Sequence, residues 1–109
     1  MEIIYDKLVR DNIPEIIKGD NAVPCIRKLN DEEYWEYLLK KDTEELEEVR
    51  MASSTKEVKK ELADKLELIR AMAEFSGFTL EDVIDEAQRK REKRGGFQKR
   101  ILLEKVIEK

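Results

Sequence analysis

Residues 30–76 read NDEEYWEYLLKKDTEELEEVRMASSTKEVKKELADKLELIRAMAEFS. Tyr34, Leu38, Val49 and Ala52 recur at helical spacing in the first half of this stretch. Val58, Leu62, Leu66, Ile69, Met72 and Ala73 do so more broadly in the second. An α-helix turns about 100° per residue, so each set forms a stripe that has to be covered. Asn30 with Glu33, and Ser54 with Glu57, have the spacing of a capping box. SSTK at 53–56 is a tight break between them. Two helices, 30–51 and 55–76, joined so closely run antiparallel, and the reading is a helical hairpin.

The flanks extend this pattern. Thr79 with Asp82 caps a third long helix that ends at Gly95-Gly96 and is expected to pack across the hairpin. Upstream, Asp11 or Asn12 reads as an N-cap, with Pro14 in the first turn and Gly19 as a stop, for a short helix over 12–18. Ala22–Leu29 contains Pro24 and reads as an extended connection or edge strand. Residues 1–9 alternate loosely, as at the start of a short strand, and 97–106 read as a short strand returning to the N-terminus. The predicted fold is all-α: a bundle built from the hairpin and a third long helix, with minor short strands at the termini, in one domain spanning 1–109.

Composition limits the chemistry. Hydrophobic residues make up 40% and charged residues 44%, which suits long amphipathic helices with charged outer faces. There is no histidine and one cysteine, Cys25. A Ser–His triad, a Cys–His nucleophile, a histidine-bound zinc and an internal disulfide are therefore excluded. The absence of cystines agrees with a cytoplasmic setting. Any metal has to be held by oxygen, which selects magnesium, manganese or calcium. No apolar run is long enough for a membrane span, and the N-terminus does not read as a signal peptide.

The net charge of −4 disfavours a general nucleic-acid binder, but the charge is unevenly placed. Residues 31–48 hold nine acids and two lysines, whereas 89–100 hold seven Lys and Arg and one Glu. Such blocks suit a metal at one wall of a site and a phosphate at the other; equally, they are what two solvated helix faces look like.

Some of the acids lie on the wrong face. Glu45 sits on the apolar stripe, seven residues after Leu38 and four before Val49, with Glu48 at its margin. In the second helix Glu61 aligns with Leu68 and Met72, and Asp64 with Leu68 and Phe75. Unpartnered buried carboxylates cost several kcal/mol each, by order of magnitude, and facing pairs repel. Two arrangements would offset that cost. One is a divalent cation held by four carboxylates, with positions left for water and phosphate oxygens. The other is a buried salt-bridge network with Lys41 and Lys65.

The pattern EELEE at 44–48 followed by ELAD at 61–64, with twelve residues between, resembles the ExxE and ExxD motifs of the all-α nucleoside triphosphate pyrophosphatases. That superfamily includes the MazG-like proteins and phosphoribosyl-ATP pyrophosphohydrolase. KLVRDNIPEII at 7–17 and KREKRGGFQKRILLE at 90–104 are similar to a MazG-like branch of predicted house-cleaning enzymes. Asp42 departs from the pattern, since an apolar residue, commonly leucine, is usual there. The resemblance implies that Glu45, Glu48, Glu61 and Asp64 ligate magnesium, with manganese as an alternative, and that Glu44 stands beside them. It also implies a reaction in which water attacks at the α–β phosphate junction of a nucleotide, releasing a nucleoside monophosphate and pyrophosphate. Glu44 or Glu45 is then the candidate proton acceptor. A homodimer or higher homo-oligomer is expected, from the resemblance and from the small core.

Further residues carry paired readings. Lys7 and Arg10 are substrate contacts, or part of a surface turn. Lys41 commonly precedes EExxE in the family and joins them as a substrate-binding candidate. Lys90, Lys93 and Arg94 would hold the polyphosphate at the mouth of the hairpin, or complement a helix C-terminus. Tyr34 and Trp35 would stack a base, or pack in the core. Phosphoribosyl-ATP hydrolysis and a non-catalytic interaction module are the competing functions.

Overall fold

The computed structural model describes residues 1–109 and contains four helices: α1 (Ile13–Gly19), α2 (Asp31–Met51), α3 (Thr55–Phe75) and α4 (Leu80–Arg94). The long helices start where the polar side chains cap them. Asn30 accepts from the Glu33 amide at 2.9 Å, and the Glu33 carboxylate returns to the Asn30 amide. Glu33 also receives Arg27 through two bonds of 3.1 and 2.8 Å, which ties the extended segment before α2 to its first turn. Ser54 caps α3 by accepting from the Glu57 amide, while the Glu57 carboxylate takes the amide and hydroxyl of Ser53. Thr79 and Asp82 form a reciprocal box at α4. At α1, Asn12 occupies the cap position, but its side chain makes no capping bond.

α2 and α3 pack antiparallel through the short connection at 52–54, as the spacing predicts. Leu38, 1% exposed, and Leu68 fill the centre of the contact. Phe75 closes the open end: Tyr34 meets it edge-on at 5.4 Å and Trp35 stacks on it at 5.7 Å. Both aromatics of α2 therefore pack against the hairpin itself. α3 ends in a Schellman turn, where Phe78 donates to the Ala73 carbonyl and Gly77 to that of Glu74. Gly77 has φ +91°, a conformation that side chains resist.

Two expectations are corrected. No strand forms: residues 1–10 and 97–109 are irregular, with Ile3, Ile4, Ile101 and Leu102 exposed. An isolated pair of short strands is marginal in water, and no sheet edge exists here for them to join. Nor does α4 pack across the hairpin, because it meets only α3. Leu80 is buried and Val83 half-buried, and the rest of the helix is exposed. Beyond Ala87 the helix reads QRKREKR and has no apolar side chain to hold it down. The molecule is consequently elongated, 65 × 35 × 25 Å.

Candidate metal centre

The site is made where the middle of α2 faces the start of α3. Glu45 points inward because Leu38 and Val49 on the same stripe do; it is 8% exposed. Glu61 and Asp64, half-buried, come from the second and third turns of α3, so the 52–54 connection sets how the two helices register. One carboxylate oxygen from each of Glu45, Glu61 and Asp64 lies within 4.8 Å of the others. Glu45 Oε2 is buried and has no hydrogen-bond partner. Burial pushes the Glu45 carboxyl above the ordinary carboxylate range; Asp64 and Glu61 add to this, and Lys41 opposes it.

The N-terminal segment crosses this face of the hairpin. Lys7 Nζ donates to Glu44 Oε1 at 2.9 Å, and Arg10 donates to Asp64 Oδ1 at 2.8 Å. Lys41 reaches the other oxygen of Glu44 at 3.5 Å. The hydrogen bond from Lys7, helped by Lys41, holds the Glu44 carboxyl below its usual range. The same bond raises the Lys7 ammonium, and Glu48 adds to it from nearby.

Of the four acids in the expected cage, the structure brings three together. Glu48 is exposed and outside the trio, on the rim beside Lys7. The alternative network through Lys41 and Lys65 does not form around the trio: Lys41 pairs with Glu44, and Lys65 pairs with Asp42 at 2.8 Å. Asp42, the departure from the family pattern, thus has its own partner. Lys90, Lys93 and Arg94 are exposed on α4 and make no ion pair or hydrogen bond with the hairpin. The cations that reach the acids are Lys7, Arg10 and Lys41.

The donor set fits a hard divalent cation. Three hard-oxygen ligands converge, and one buried oxygen lacks a donor, which a cation would supply. Three ligands also leave coordination positions for water or phosphate oxygens, as magnesium requires.

No family model matches the chain, and no solved structure matches it. A stretch of 48 residues is 48% identical to a protein of Mycolicibacterium smegmatis described as uncharacterized. The match covers 44% of this chain and 49% of that relative, so the alignment spans about half the length of each.

Proposed function

We propose that the protein is a magnesium-dependent nucleoside triphosphate pyrophosphohydrolase of the MazG-like kind, cleaving a nucleotide to its monophosphate and pyrophosphate. The observation that carries this reading is Glu45, a buried carboxylate with an unpartnered oxygen turned to Glu61 and Asp64. Nothing in the chain neutralises that oxygen, and the sequence pattern around it is the one in which the family binds its metal.

Glu45, Glu61 and Asp64 would hold the cation, with Glu48 within reach from the rim. When bound, magnesium offsets charge on the phosphates and acidifies a coordinated water. The chain's own groups supply the rest. Arg10 and Lys7, now paired with Asp64 and Glu44, are placed to turn to phosphate oxygens when a nucleotide arrives. Arg10 offers a planar fork that suits two phosphate oxygens at once. Lys41 sits below Glu44 and keeps it ionised. Glu44 or Glu45 accepts the proton of the attacking water. Manganese would satisfy the same oxygen set. A house-cleaning role on noncanonical nucleotides follows from the resemblance of the two end segments. The protein is expected to act in the cytoplasm as a homodimer or higher homo-oligomer.

One observation favours a second reading. The Arg10–Asp64 and Lys7–Glu44 pairs satisfy two of the acids internally, as a non-catalytic helical module would require. Pyrophosphate release measured over a panel of nucleotides, with and without magnesium, decides between them. The catalytic reading expects release that stops with chelator. No release from any nucleotide at any magnesium concentration leaves the interaction module.

A further inference from the structure

The hairpin has two broad sides, and the acids occupy only one. On α2, Leu39 and Leu46 are separated by seven residues, two turns, and are 41% and 44% exposed. On α3, Leu62, Leu66 and Ile69 follow at four and three residues and are 52%, 46% and 39% exposed. Asp42 lies between Leu39 and Leu46 in register, and Lys65 lies between Leu62 and Ile69. Their 2.8 Å pair shows that both stripes face the same way. Glu44 and Asp64, pinned by Lys7 and Arg10, face the opposite way. One side of the hairpin is thus a site covered by the N-terminal segment. The other is a row of large apolar side chains with one ion pair at its middle.

The surface of the whole chain says how much is left to cover. A compact monomer of 12.9 kDa would expose about 6,300 Å², and this chain exposes 10406 Å². Its radius of gyration is 18.5 Å, against about 13 Å for a compact domain of this length. Only five residues are buried, too few for a 109-residue domain to hold a unique packing alone. The excess surface is of the size that an obligate homodimer buries, about 2,000–5,000 Å² in total. Two parallel-sided helices of 21 residues make a face about 30 Å by 20 Å, near the area each partner brings to a standard interface.

We propose that the face formed by Leu39, Leu46, Leu62, Leu66 and Ile69 is the contact with a second copy of this chain, packed as a bundle of four long helices. Charge favours a like partner. A two-fold axis through the centre of the stripe sets Asp42 opposite the partner's Lys65, and Lys65 opposite the partner's Asp42, so the one polar pair becomes a self-complementary four-charge cluster. The carboxylate trio then faces outward on both copies, open to substrate. The inference names the interface of the homo-oligomer proposed above, and does not depend on the chemistry.

Light scattering or sedimentation of the full chain at micromolar concentration tests it. Wild type is expected at twice 12.9 kDa. Leu46→Glu with Leu66→Glu should fall to a single chain with its helical circular dichroism kept, since both positions are half exposed already. Asp42→Lys should also dissociate the pair, and Asp42→Lys with Lys65→Asp should restore it, so the result does not hang on one variant's folding. Ile101→Glu with Leu103→Glu, in the exposed C-terminal segment, should leave the dimer intact. A monomeric wild type overturns the proposal. So does a dimer that survives the stripe variants, or one that the C-terminal variants dissociate. Stabilisation by magnesium is a separate measurement. Its loss in wild type would count against the metal centre and leave the mass result standing.

Discussion

At position 45 one oxygen, Oε2, is buried without a donor, and two carboxylates crowd it. Removing that charge has opposite effects with and without metal. Glu45→Gln keeps the shape, so the metal-free protein should melt no lower than wild type, because repulsion and desolvation of an ionised group are both relieved. In magnesium the same variant should lose turnover by about a hundredfold or more, the scale on which a preorganised charge contact acts. Asp64→Asn should do likewise. Melting curves paired with pyrophosphate release check this. Full turnover in both variants would remove the trio from the mechanism. Arg10 and Lys7 stand over the same acids, and Arg10→Ala should raise KM for the nucleotide more than it weakens magnesium binding. The effect of Arg94→Ala should be smaller, because no contact joins that side chain to the hairpin.

Among the elements, the hairpin is the rigid part and α4 the loosely held one. Leu38 is the most deeply buried side chain, and Leu38→Ala should cost about 2–5 kcal/mol. α4 is attached by Leu80, Val83 and the Thr79–Asp82 box. Thr79→Ala should therefore cost about 1 kcal/mol in the fraying of α4. Amide exchange should show it confined to residues after 79, with α2 and α3 protected as before. Loss of protection in α2 would mean that α4 supports the hairpin directly. Gly77→Ala probes the turn between them. A Cβ there meets no neighbouring atom, so the expected loss of about 1–2 kcal/mol comes from the φ of +91° alone.

The molecule as a whole should be stabilised by the cation it is built to accept. A ligand bound only by the folded state adds RT ln(1 + [L]/Kd), about 2.7 kcal/mol at a hundredfold excess over Kd. For a chain of this size that raises Tm on the order of 10 °C. Chelator should reverse it, calcium should substitute for stability, and Glu45→Gln should abolish the shift. Scans that superimpose with magnesium and with chelator would mean that the ion pairs from Lys7 and Arg10 already complete the site.

Local chemistry alone set the long helices of this protein. Asn30, Ser54 and Thr79 start them where the sequence says, because a cap is a bond between neighbours. The inward turn of Glu45, Glu61 and Asp64 follows in the same way, from the fixed angle per residue of a helix whose other stripe members are leucines. Which acids meet, and what reaches them, depended on parts of the chain far apart in sequence. Glu48 is one turn from Glu45, yet it lands on the rim, because the facing of α2 and α3 decides which side of the stripe is closed. Lys7 and Arg10 reach Glu44 and Asp64 across 37 and 54 residues, and no periodicity encodes that distance. The basic block of α4 was read as the phosphate wall from its charge, but charge does not fix direction. Packing does, and α4 has apolar residues only in its first turns. The terminal strands failed for a related reason: alternation marks a strand only when another backbone is there to pair with it.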